Sequence, residues 1–213
     1  MDFLTGKIRP MYVKYLSAAF GSALISSIYG VVDMAMVGQY QGPDGTAALA
    51  VVAPIWNIIY SLGLLMGIGG SVLLSTLRGV SEKNQRQSNE YFTASMIGVA
   101  FLAVLSWLGV VFLDRELLTL FGAEETLLPL ARQYLLPIKA VVPSFLFTQF
   151  LSAFLRNDGN PGLATKAVLF GGVFNVLGDY FFVFTLDMGI MGAGLATAMG
   201  SVFSLLMMLT HFL

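Results

Sequence analysis

Residues 47–77, AALAVVAPIWNIIYSLGLLMGIGGSVLLSTL, run for thirty-one positions without a single charge. At 1.5 Å per residue such a stretch makes a helix of about 46 Å, against a bilayer hydrocarbon core of about 30 Å. It is long enough to cross a membrane and must tilt or bend to fit. Pro54 is the expected bend, because its ring removes a backbone donor and crowds the preceding turn. The rest of the chain has the same character. Of its 213 residues 57% are hydrophobic and 11% charged, with a mean hydropathy of +0.81, whereas a soluble domain carries about 25% charged residues. A soluble globule is excluded. The net charge of −1 offers no basic surface to phosphates, so nucleic acid is not an expected partner and membrane lipid is. With no cysteine and one histidine, His211, there is no basis for a disulfide framework, thiolate chemistry or an imidazole metal site, and no cofactor is expected.

Charges collect at the ends of spans because one at mid-bilayer costs about 2.5 to 3.5 kcal/mol on insertion scales. On that punctuation residues 1–213 form a single lobe of six transmembrane helices, an all-α polytopic membrane protein with spans over about 11–38, 47–77, 91–113, 128–155, 163–184 and 190–212. Arg132 and Lys139 fall inside the fourth span, where they snorkel or face protein. Gln41–Gly45, Asp158–Gly162 and Leu186–Gly189 supply turn residues between spans. Lys7, Arg9, Lys14, Arg78, Lys83, Arg86, Arg156 and Lys166 fall on one side, against Arg115, Arg132 and Lys139 on the other. Both termini are therefore expected in the cytoplasm, in a multi-pass protein of the cytoplasmic membrane. The first apolar stretch is too long for the core of a signal peptide and has no small-residue cleavage site after it.

Two carboxyls interrupt the apolar spans. Asp33 is flanked by Val31, Val32, Met34 and Val37 and is either a helix-end aspartate reaching the headgroups or a proton or sodium site. Asp179 follows Asn175 by four residues, so both side chains share one helix face. That pair is either a hydrogen bond gluing helices or part of an ion site. Na⁺ is a hard cation that takes mixed oxygen ligands, and Asp33, Asn175, Asp179 and Thr197 could supply them from three helices. Gly192, Ala196, Gly200 and Ser204, and Gly63, Gly67 and Ser71, repeat at intervals of four and read as stripes for close helix packing. The run Gly67–Gly70 lies inside an apolar span and is no dinucleotide fingerprint.

Five stretches taken together resemble the multidrug and toxic compound extrusion (MATE) family of antiporters. They are Val32–Gly38 (VDMAMVG), Ala47–Ala50 with Pro54 after it, Phe154–Pro161 (FLRNDGNP), Phe174–Tyr180 (FNVLGDY) and Met188–Thr197 (MGIMGAGLAT). The resemblance covers the whole chain as the first six-helix half. It implies two lobes around a central cavity that opens alternately to either side and exports organic cations in exchange for Na⁺ or H⁺. It assigns the ion site to Asp33, Asn175, Asp179 and Thr197. Tyr29 matches an aromatic one turn before the first aspartate, and Tyr29, Met36, Gln149 and Ser152 stand as candidates for substrate contact or gating. Ser152 takes a place where some relatives carry an amide. With one lobe only, the chain is expected to need a second six-helix half or a homodimer partner.

Two other readings are weighed. A lipid-linked sugar flippase of the same superfamily would line its cavity with Arg and Lys to hold a pyrophosphate, and no such cluster is present. An intramembrane aspartyl protease also needs two aspartates in neighbouring spans. Such enzymes resemble Tyr-Asp and Gly-x-Gly-Asp, whereas Val32 precedes Asp33 and Val176 stands two before Gly178. The chain is not expected to be an enzyme.

Overall fold

The computed structural model describes residues 8–80 and 85–212, and these are helical almost throughout. Lys7 and Lys83 of the basic set lie outside the described residues, as do the side chains of Lys14, Arg78 and Arg86. The first helical stretch, Ile8–Val80, is broken at Gly42, whose φ of 70° and ψ of −158° are open only to a residue without a Cβ. Pro43 follows, where a helix start tolerates its missing donor. The chain turns back here. A Cβ at Gly38 would lie 2.8 Å from Thr46 Cγ2, and one at Gly45 would lie 2.9 Å from Val37 Cγ1. A continuous helix would hold residues eight apart about 12 Å away from each other. The break divides the stretch into α1 (8–41) and α2 (43–80).

The remaining elements are α3 (Gln85–Phe112), a short α4 (Asp114–Leu120), α5 (Leu128–Lys139), α6 (Val142–Asn157), α7 (Pro161–Asp179) and α8 (Gly189–Leu209). A π-helical turn, Tyr180–Thr185, continues α7, and a 3-10 turn, Thr210–Phe212, ends α8.

The chain reverses at Gly42, inside the turn expected over Gln41–Gly45, and the helix runs through Pro54 unbroken. Pro54 sits inside α2 with helical dihedrals, and Gly42 is the residue that leaves them. The fourth expected span, over 128–155, is made of two helices, α5 and α6, meeting at 63°. Two prolines bracket the break, Pro137 in the last turn of α5 and Pro143 in the first turn of α6. Each removes a donor from the ladder, and neither helix can be continued through the other's proline without losing hydrogen bonds.

Close packing follows the small-residue stripes. A Cβ on Gly63 or Gly67 of α2 would press on Leu146 and Phe150 of α6, and one on Gly171 of α7 would meet Ser204 and Gly200 of α8. Ser204 also donates to the Ala167 carbonyl at 3.0 Å, which anchors the α7–α8 crossing with a polar bond inside the apolar layer. Phe92 of α3 stacks edge-on against Phe154 of α6, ring centroids 5.0 Å apart. The two cations of the fourth span pair with one aspartate, Lys139 largely covered and Arg132 half-exposed. Lys139 Nζ and Arg132 Nε each lie 2.7 Å from Asp114 Oδ2, tying α4 to α5 just before the bend. Burial pushes the Asp114 carboxyl up, but the hydrogen bonds and charges of Lys139 and Arg132 outweigh it and hold it below the ordinary aspartate value. At the other end of the bundle His211 bridges Asp158 (3.0 Å) and Asn160 (3.3 Å), so the sole histidine fastens the end of α8 to the α6–α7 connection.

Candidate functional site

Asp33 lies two turns before the end of α1 and is 8% exposed, while Asp179 at the end of α7 is fully buried. Asn175 stands one turn before Asp179 on the same helix, and Thr197 projects from α8 opposite it. The Asn175 amide donates to Thr197 Oγ1 at 3.1 Å. Thr197 Oγ1 lies 3.4 Å from the Tyr134 hydroxyl, which donates to Asp33 Oδ2 at 3.1 Å. A carboxylate only accepts, so the direction of the chain is set. The Tyr134 proton goes to Asp33, the Thr197 proton to Tyr134, and Thr197 receives from Asn175. Hydrogen bonds pointing the same way polarise one another, and here they place the positive end of the sequence against Asp33.

The donors run out before the acceptors do. Among the described residues six buried side-chain polar atoms have no hydrogen-bond partner, and four of them belong to this cluster: Asp33 Oδ1, Asn175 Oδ1 and both oxygens of Asp179. All four are acceptors, and Asp33 lies within electrostatic reach of Asp179. Acceptor oxygens taken out of water without a donor cost several kcal/mol by transfer estimates, and a lone buried carboxylate costs more. A small hard cation could be shared by the two carboxyls and the amide oxygen, whereas a proton on one carboxyl would supply a single donor to its neighbour.

Small residues allow the approach. A Cβ on Gly178, one residue before Asp179, would touch Ala196 beside Thr197 at 3.0 Å. Gly194 brings α8 so close to α5 that a Cβ there would overlap the Tyr134 carbonyl oxygen, at 2.2 Å. Glycine at that position is what lets Tyr134 reach Thr197.

Of the remaining residues singled out in the sequence, Tyr29 lies on α1 against α7, where a Cβ on Gly172 would stand 3.3 Å from its ring. Met36 is half-buried on α1. Gln149 and the buried Ser152 belong to α6, with Gln149 packed on Gly63 of α2. Among the described residues helix α6 contributes no hydrogen bond to the cluster, so neither residue joins it. Tyr134 was missed. It is 3% exposed on α5, just after Arg132 and Gln133, and the available signal was that a buried tyrosine hydroxyl finds a partner. Nothing in its spacing names Asp33, 101 positions away.

Comparison with known proteins adds three findings. The MatE family model matches residues 18–181. The chain is 28% identical over 191 residues to the multidrug export protein MepA of Staphylococcus saprophyticus, covering 90% of this chain and 42% of that one, and 25% identical over 190 residues to MepA of Staphylococcus aureus, with 89% and 42% covered. Its fold superposes with a TM-score of 0.91 at 27% identity on a solved structure of the MATE multidrug transporter DinF-BH in complex with R6G, covering all of this chain and 47% of that one. The chain thus spans less than half the length of the curated relatives it matches.

Proposed function

Because the chain belongs to the MatE family, a family of membrane transporters rather than enzymes, we propose that it is one six-helix lobe of a cation-coupled exporter of small organic cations. The observation that carries this reading is the set of four donorless buried oxygens on Asp33, Asn175 and Asp179. Na⁺ or H⁺ entering among them is the coupling ion. The cluster joins α1, α5, α7 and α8, so occupancy changes the forces between those helices. An ion shifts a conformational equilibrium only through different affinity for its two states, and an oxygen cage that closes on one cation has that property. Tyr29, Met36, Gln149 and Ser152 remain the proposed substrate or gating contacts.

Transport of this type rocks one helical bundle against another about a site near the midplane. A single lobe has nothing to rock against, so the active unit pairs it with a second six-helix half or a second copy. Relatives of about twice the length support that pairing. Reconstituted alone, the chain is expected to give little or no efflux of a cationic dye under a Na⁺ or pH gradient, and cross-linking in membranes is expected to trap a dimer or a complex with a second half. A strictly monomeric chain that drives efflux by itself would overturn the pairing. Efflux of a lipid-linked sugar in place of the dye would overturn the substrate class.

Both termini are placed in the cytoplasm by the basic asymmetry. Single cysteines at positions 85 and 157 should then resist a membrane-impermeant thiol reagent while one at position 124 reacts. The reverse labelling pattern contradicts this orientation.

A further inference from the structure

Helices α1 and α7 approach each other at two levels. One is the interior cluster around Asp33 and Asp179. The other is at the rim, where the Tyr40 hydroxyl donates to Asp187 Oδ1 at 2.5 Å and the Tyr40 ring meets Phe184 edge-on at 6.0 Å. Beside it, Gln41 Oε1 accepts from the Ile190 backbone N–H at 3.2 Å, satisfying one of the free donors at the start of α8. A Cβ on Gly189 would lie 2.8 Å from the Tyr40 ring. Four contacts therefore lock the last two residues of α1 onto the α7–α8 connection.

Three backbone features place that connection under Tyr40. Gly42 ends α1 immediately after the contacts. Asp187 holds a φ of 56°, a left-handed conformation that costs energy in a residue with a side chain. Between Asp179 and Asp187 the chain runs as a π-helical turn, Tyr180–Thr185, closed by bonds such as Leu186 N–H to the Phe181 carbonyl at 2.9 Å. A π turn holds an extra residue and rotates everything after it by about 100° relative to an α-helix. The hydrogen bond to Asp187, followed by desolvation and the carboxylate's charge, also holds the Tyr40 phenol above its ordinary value.

We infer that Tyr40 and Asp187 are positioning residues for the ion site: their rim clamp fixes the outer half of α1 against α7 and so sets the separation of Asp33 and Asp179. Tyr40 follows Asp33 by seven positions, two helical turns, and Asp187 follows Asp179 by eight. The two levels are thus joined by short stiff segments. A cation held by two carboxyls on different helices is sensitive to their spacing, since the attraction falls with distance in a medium that screens little. Loss of the clamp leaves every ligand in place and lets the helices part. This inference rests on the proposed ion site.

The test follows the melting temperature of the purified 213-residue chain as Na⁺ replaces choline, and separately as pH is lowered. A ligand that binds the folded chain raises its stability with concentration, and the midpoint of the rise reports apparent affinity. The expected result is a response in the wild type that Asp33→Asn removes. Tyr40→Phe and Asp187→Ala should shift the midpoint at least fivefold toward higher cation concentration. Asp187→Asn, which keeps an oxygen to accept from Tyr40, should stay within twofold of wild type. A lower melting temperature without a shifted midpoint would mark a merely structural contact and overturn the inference. If the wild type responds, Asp33→Asn does not, and both clamp variants keep the wild-type midpoint, the clamp is overturned while the ion site stands. No response from the wild type to Na⁺ or to pH overturns the ion site, and the clamp's role with it.

Discussion

Asp179→Asn and Asp33→Asn are each expected to abolish ion-coupled efflux when the lobe is assembled with its second half, while leaving insertion and helix packing intact. Asp179 is the more severe case. Both its oxygens are buried and donorless, so its charge has no compensation from the protein. Replacing the carboxylate by an amide keeps one oxygen, removes the charge and puts a new donor into a space lined by acceptors. A buried charge that loses its partner costs about 3 to 5 kcal/mol, and a loss of about 3 kcal/mol corresponds to a more than 100-fold weaker cation site. Asp33 differs in already accepting from Tyr134, so its amide variant also disturbs the hydrogen-bonded sequence through Thr197. Insertion survives because an amide is cheaper to bury than a carboxylate. Wild-type efflux by both variants would refute the assignment.

Gly194→Ala is expected to have the largest effect of any substitution that adds one methyl group. On helix propensity alone, alanine would stabilise α8 by about 1 kcal/mol. Contact geometry reverses the sign, because the new Cβ would sit 2.2 Å from the Tyr134 carbonyl oxygen and 3.1 Å from Pro137. The obstacle is backbone, which no rotamer change can move, so α5 and α8 must separate by about 1 Å or more. Overpacking of this kind costs about 1 to 3 kcal/mol. The same displacement stretches the 3.4 Å contact between Tyr134 and Thr197 beyond hydrogen-bonding range. Gly194→Ala should therefore lower the melting temperature and erase the cation response together. Gly109→Ala in α3, where an added Cβ meets nothing within 4 Å, should leave the response untouched and raise stability slightly. Equal behaviour of the two variants would show that the α5–α8 approach does not matter.

The residues behind these predictions also mark what the sequence could and could not disclose. Asp33 and Asp179 were legible because a carboxyl inside an uncharged span is conspicuous. Asn175 was legible from its spacing on the same helix, and Thr197 from the family's motif leading into α8. Tyr134 was not, since tyrosine is common in membrane helices and its bond spans 101 positions. Gly194 appeared only as one more small residue beside a packing stripe. Periodicity shows that a helix has a small face but not which helix lies on it. The break in the fourth span was not read from the sequence for a related reason. A proline inside a helix can be absorbed, and what broke the chain at residues 140–141 was a pair of prolines on either side of the gap. The π turn after Asp179 left no signal in YFFVFT, whose apolar composition suits an α-helix equally well.

The claim on which the rest depends is that Asp33, Asn175 and Asp179 hold one exchangeable cation, and equilibrium binding of radioactive Na⁺ to the purified chain across a range of pH tests it most directly. The expected result is saturable binding of about one Na⁺ per chain that protons displace as pH falls, or, for a site selective for H⁺, uptake of about one proton per chain at neutral pH or below, and in either case loss of the signal in Asp33→Asn and Asp179→Asn. Saturable cation binding that both variants retain, or a wild-type chain that takes up neither ion, would contradict it.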